Sequence, residues 1–179
     1  LSSSLTIYFN AEYGLDPVIA GFFTAACVFA GSFVRPVGGA VADRIGGVRT
    51  LIAVYGFAAI GLLAAGIHQP SPAVALVVIM LAMMALGAGN GAVFQLAPQR
   101  FGKEIGVITG LVGAMGGVGG FYLASTLGFA KQLTGSYQAG FVGFASLAVV
   151  ALIALACLKS QWRARWPALS GRAAEPVRV

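Results

Sequence analysis

One charged residue stands inside a long apolar stretch of this sequence: Arg35, within VIAGFFTAACVFAGSFVRPVGGAVA (18–42). A guanidinium in hydrocarbon costs at least about 2.5–3.5 kcal/mol on insertion scales, and intramembrane charges usually face a cavity or a partner. No Asp or Glu lies in any of the apolar stretches to neutralise it. Five N–H donors in a planar fork, with no acid to satisfy them, suit a small planar oxyanion. A second reading is that Arg35 snorkels. It stands eight residues before Asp43, about 12 Å of helix rise, which is close to the reach of an extended arginine.

Two amides and a glycine run fall at a similar depth. Asn90 and Gln95 lie in GAGNGAVFQ (87–95), and GLVGAMGGVGGFY (110–122) holds six glycines in eleven residues. Such a run would destabilise a helix in water. In a membrane it allows tight helix contact, local bending or approach of backbone to a small ligand. Gly113, Gly117 and Gly120 share one helix face, with Gly116 and Gly119 beside them. Gly113 lies eight residues from Ile105, the start of its stretch, so its depth matches that of Arg35. A guanidinium, two amides and bare backbone thus meet one layer.

Other chemistries lack residues. His68 is the sole histidine and sits in a short turn, so no metal site or histidine-based catalysis is expected. Cys27 and Cys157 lie in apolar runs and read as small buried hydrophobes without a disulfide. The glycine run follows no strand and has no acidic partner about 20 residues on, so it is no dinucleotide fingerprint. No cofactor is implied, and an enzyme is the least supported class.

These residues require elements to hold them, and composition names the elements. Of 179 residues, 59% are hydrophobic and only 9% charged, with mean hydropathy +0.91. Soluble domains carry about 25% charged residues, so this chain cannot cover itself in water. A membrane-crossing helix needs about 20 apolar residues. Five windows qualify, at about 18–42, 50–67, 73–96, 105–130 and 138–158, preceded by 1–9 as the end of a further helix. A basic tail, 159–179, follows and is expected to be largely disordered past Trp166. The net charge of +6 does not point to nucleic acid, because its residues sit in the gaps and tail. Arg44, Arg49, Arg100, Lys103, Lys159, Arg163, Arg165, Arg172 and Arg178 fall on one side and Lys131 alone on the other. The positive-inside rule puts the basic side in the cytoplasm. The basic tail could also meet anionic lipid, though a solvated tail is the plainer reading. The chain begins at Leu1 and reads as a piece of a longer protein. Six helices make one half of a transporter built from two six-helix repeats, with its site between the halves.

Two motifs give that architecture a family. GGAVADRIGGVR (38–49) resembles the G-x-x-x-D-R-x-G-G-x-R loop of the major facilitator superfamily, which sits on the cytoplasmic side between the second and third helices of each half. There, Asp43, Arg44 and Arg49 would form a charge network that locks neighbouring helices in one state. An ordinary solvated loop with topogenic arginines is the alternative. The stretch GNGAVFQLAPQRFGKEIGVITGLVGAMGGVGGFY (89–122) is similar to the nitrate/nitrite porter family of that superfamily, its glycine run to the nitrate signature of the eleventh helix. The resemblance spans nearly the whole chain up to the tail. It implies helices seven (partial) to twelve, an anion-clamping arginine at Arg35, and signature glycines Gly113, Gly116 and Gly117 packed beside the substrate. A second clamping arginine would lie in an amino-terminal half that this chain does not contain. At Ala124 the sequence departs from the pattern, where proline often follows the signature.

The expectation is an all-α polytopic protein, the carboxy-terminal half of a twelve-helix transporter in a bacterial inner membrane. It would move nitrate or nitrite by alternating access, with Arg35, Asn90, Gln95, Gly113, Gly116 and Gly117 at the anion and Asp43, Arg44 and Arg49 as the gate. No acidic residue lies in a span to carry protons, which points to nitrate/nitrite exchange. A porter for another small anion and a non-transporting scaffold or receptor are the alternatives.

Overall fold

The computed structural model describes residues 2–100 and 104–165. Lys103, and the tail beyond Trp166 with Arg172 and Arg178, lie outside the described residues. The protein is all-α, with seven helices and no strand among the described residues: α1 (Ser2–Tyr13), α2 (Pro17–Phe33), α3 (Arg35–Ile45), α4 (Gly47–Ala65), α5 (Pro72–Arg100), α6 (Ile105–Thr134) and α7 (Gln138–Arg165). Among the described residues five stretches are long and apolar enough to cross a membrane: Pro17–Ile45, Gly47–Ala65, Pro72–Ala97, Ile105–Thr134 and Gln138–Lys159.

Local chemistry sets the helix ends. Pro17 occupies the first turn of α2, where its missing N–H costs nothing, and Asp16 caps that turn by accepting from the Val18 N–H at 2.8 Å. Gly135 ends α6 with φ +73° and returns its N–H to the Lys131 carbonyl at 2.9 Å. Through Ala124, where the sequence lacks the expected proline, α6 continues unbroken.

The first long span is not one helix. It breaks at Val34 into α2 and α3, because Pro36 has no N–H to give the Ser32 carbonyl. The ladder resumes at once, with the Gly38 N–H on the Val34 carbonyl at 2.9 Å. Arg35 is therefore the first residue of α3, at the break itself.

Alongside this broken span runs α5, and glycine lets the two backbones touch. A Cβ added at Gly87 would stand 1.9 Å from the Gly31 carbonyl oxygen, and one at Gly91 1.9 Å from that of Arg35. From the other side, a Cβ at Gly38 would stand 2.1 Å from the Ala88 carbonyl oxygen. Gly87 and Gly91 are the small-xxx-small pair that membrane helices use for close packing. The glycines of α6 do not pack in this way. Among the described residues nothing lies within 4 Å of a Cβ at Gly110, Gly113, Gly116, Gly117, Gly119 or Gly120. The packing face expected for that run is an open face, and the close packing belongs to α5.

At the opposite end from the α3–α4 corner, α1 is held by aromatic side chains. Leu5, Tyr8 and Phe9 are buried, and the Tyr8 ring meets Phe9, Tyr137 and Phe141 edge-on at 5.3–5.7 Å. Thr6 donates to Thr24 at 3.0 Å, and His68 Nδ1 lies 3.4 Å from Glu12. These contacts join α1 to α2, to α7 and to the turn between α4 and α5.

The seam predicts a graded response to added methyl groups. Gly91→Ala should lower the thermal midpoint of the purified intact protein in detergent by an amount equivalent to about 1–3 kcal/mol, the usual cost of overpacking. Gly56→Ala, with nothing within 4 Å of the new Cβ, should leave the midpoint unchanged or raise it slightly.

Candidate functional site

A cavity of about 500 Å³ opens between α3, α4, α5 and α6. Arg35 enters it from the helix break. Leu86, Gly89, Asn90, Val93 and Phe94 line it from α5, Val54 and Tyr55 from α4, and Val112, Gly113 and Gly116 from α6. The α5 set follows i, i+3, i+4, i+7, i+8, so one helix face supplies that whole wall. A water molecule takes about 30 Å³, so the space admits a small oxyanion with several waters.

The electrostatics are simple. Among the described residues no carboxylate lies within ion-pair distance of Arg35, and the one such pair is His68 with Glu12. The carboxyl end of α2 and the amino end of α3 meet at the break, so their opposite half-charges largely cancel there. The guanidinium therefore sets the sign of the potential. Asn90 is exposed to the same cavity and can donate a neutral hydrogen bond. Gly113 and Gly116 leave the α6 backbone bare where it lines the same cavity.

The structure brings Arg35, Asn90, Gly113 and Gly116 to one cavity and leaves Gln95 and Gly117 outside its lining. Gln95 is misplaced by helix geometry. It lies five residues past Asn90, which is about 140° around the helix and about 7.5 Å further along it. Its face is that of Gly91, one turn on, and it meets α3 one turn beyond Gly39. There the Gln95 side-chain amide donates to the Asp43 carboxylate. Its oxygen, Oε1, is buried and has no hydrogen-bond partner among the described residues, a state that costs about 1–3 kcal/mol.

The expected loop network of Asp43, Arg44 and Arg49 also takes another form. Asp43 and Arg44 lie in the last turn of α3 and Arg49 in the first turns of α4, with Gly46 alone between the two helices. Among the described residues neither arginine forms an ion pair with Asp43, whose partner is Gln95. The two central glycines of the motif have separate tasks. Gly46 turns the chain at φ +99°, a backbone state that L side chains avoid. Gly47 admits Leu96, whose Cδ1 would stand 2.8 Å from an added Cβ.

Tyr55, Phe94 and the hydrocarbon side chains of the wall were not singled out from sequence. Phe94 was within reach, since it follows Asn90 by four residues. Tyr55 was not, because the side of α4 that meets α5 is decided by packing.

With this geometry in place, comparison with known proteins is informative. The Major Facilitator Superfamily profile matches residues 1–124. The chain belongs to the major facilitator superfamily. Among curated relatives of this superfamily member, the "Nitrite extrusion protein" of Bacillus subtilis (strain 168) is 36% identical over 145 residues, 79% of this chain and 36% of that protein. The "Probable nitrate transporter NarT" of Staphylococcus epidermidis is 33% identical over 153 residues, 86% of this chain and 39% of its own length. Its namesake in Staphylococcus carnosus is 34% identical over 148 residues, 83% of this chain and 38% of that protein. The chain thus spans well under half the length of these relatives. No solved structure gives a significant match. With its apolar helices, the chain is an integral membrane protein, a part of a major facilitator fold.

The link between α3 and α5 predicts coupling. In a double-mutant cycle, Asp43→Asn and Gln95→Ala should each lower the thermal midpoint, and the pair together should cost less than the sum by about 1 kcal/mol. Additive effects would mean that the two side chains act separately.

Proposed function

We propose that this chain is the carboxy-terminal half of a nitrate/nitrite porter and that it binds the anion at Arg35. The observation that carries this reading is a guanidinium with no carboxylate in ion-pair distance among the described residues, in a cavity whose other walls are an amide, a phenol, bare glycine backbone and hydrocarbon. A site of that kind favours a small anion with several acceptor oxygens over a cation. The names of the relatives, nitrite extrusion protein and nitrate transporter, support the choice of oxyanion.

In this proposal Arg35 carries the charge-assisted hydrogen bonds and Asn90 a neutral one. Gly113 and Gly116 allow α6 to close on the anion, with Gly117 beside them on the same helix. The missing amino-terminal six helices complete the site from across the midplane. Asp43 and Gln95, with Arg44 and Arg49 flanking them, form the gate at the cytoplasmic end. That Gln95 Oε1 has no partner among the described residues supports such a role, since a rearrangement that brings it a donor relieves its cost. Exchange of nitrate for nitrite fits a cavity whose lining holds no acidic side chain to carry a proton. The basic gaps and the tail face the cytoplasm of a bacterial inner membrane.

The test is counterflow in proteoliposomes holding the intact protein. Nitrate uptake driven by internal nitrite is expected, and Arg35→Ala should raise the apparent Kd for nitrate about a hundredfold, the loss of roughly two charge-assisted hydrogen bonds. Unchanged uptake in Arg35→Ala would return the residue to a structural role. Competition of labelled nitrate by small carboxylates better than by nitrite would assign the site to another anion.

A further inference from the structure

Behind the cavity at Arg35 lies a second one of about 210 Å³, between α4, α5 and α7. The two share two lining residues, Tyr55 and Leu86. The second cavity is walled by hydrocarbon and one thioether, from residues such as Leu62, Ile79, Met83, Phe141 and Phe144, and Tyr55 is the sole hydroxyl in its lining. In the first cavity, among the described residues, only Arg35, Asn90 and Tyr55 carry side-chain polar hydrogens. Tyr55 is therefore the partition between a polar chamber and an apolar one.

Packing fixes it there. A Cβ at Gly89 would lie 3.0 Å from Val54 Cγ1, so α4 sits against the bare stretch of α5, and the next residue along α4 is carried to the cavity edge. The Tyr55 side chain is half-buried, and among the described residues no hydrogen bond engages its hydroxyl. A phenol at the edge of a polar cavity with its donor unused can donate to a ligand held there.

We infer that Tyr55 is a specificity-determining residue of the anion cavity. Its hydroxyl donates a neutral hydrogen bond to the oxyanion held by Arg35, and its ring keeps the anion out of the apolar chamber. The guanidinium fork covers one edge of a planar anion and leaves other acceptor oxygens to be satisfied. A neutral donor meets that need without a second charge. Sites built around a particular hydrogen bond discriminate strongly against ligands that cannot complete it. Donation to nitrite, the more basic anion, is stronger than to nitrate, so the hydroxyl favours nitrite. This inference rests on the anion-transport reading above.

Tyr55→Phe keeps the ring and removes only the donor. Equilibrium binding of nitrate and of nitrite to the intact purified protein is the measurement, with the thermal midpoint recorded in parallel. The variant should weaken nitrite about tenfold, nitrate less, and leave the midpoint unchanged. A Tyr55→Phe protein that binds both anions as the wild type does, while Arg35→Ala binds neither, would overturn the role of Tyr55 and leave the anion site standing. Equal weakening of both anions with a lowered midpoint would also overturn it, since that is what a packing role alone produces. A wild-type protein that binds neither anion would remove both the anion reading and this inference.

Discussion

The contact of backbone with backbone between α5 and the broken span of α2 and α3 is the constraint on which the other features depend. Lipid offers no hydrophobic reward for bringing two apolar helices together, so the association relies on close van der Waals packing. Gly31, Gly38, Gly87 and Gly91 supply it by removing the side chains that would hold the helices apart. The register that follows is regular. Gly91 meets the Arg35 carbonyl and lies beside Gly39, and one turn further Gln95 meets Asp43. Rising together in number, the partners show that the two helices run parallel.

That register also assigns the faces of α5. With Gly87 turned to α2 and Gly91 and Gln95 to α3, the neighbouring face of Leu86, Asn90, Val93 and Phe94 is left to line a cavity. The proline break contributes the rest. Pro36 interrupts the ladder one residue after Arg35, and α5 packs its Gly91 against the Arg35 carbonyl. The backbone of the charged residue is thereby fixed while its side chain stays open to the cavity. A guanidinium within a membrane span and without a counter-charge is costly. Arg35 is exposed to the cavity with no carboxylate in ion-pair distance among the described residues, and that is the physical basis of the proposed anion.

The open face of α6 contrasts with the closed seam. The same residue type serves two ends: at Gly87 and Gly91 it admits a neighbouring backbone, and at Gly113 and Gly116 it leaves the backbone bare beside Arg35. Spacing alone does not separate these uses, because both runs place glycines three or four residues apart. What separates them is whether a neighbour occupies the space, and that is a property of the assembled bundle.

Much of this was legible in the residues. Charge scarcity and apolar runs determine an all-α membrane protein, and the lone arginine with no acid in the spans marks the candidate site. Asp43, Arg44, Gly46, Gly47 and Arg49 carry the superfamily motif. Depth could be read as well, since rise per residue is constant and Arg35, Asn90 and Gly113 do share a cavity. Azimuth could not be read for every residue. Gln95 shares the depth range but is rotated onto the α3 face, where it binds Asp43. Tyr55 has no chemical signature in its sequence neighbourhood, and only the packing of Val54 against Gly89 brings it to the cavity. The sequence by itself determined which residue types lie at which height in the membrane, because helix rise and hydropathy are local. Tertiary structure alone decided which of them face one another, because the rotation of each helix is set by the neighbour against which it packs.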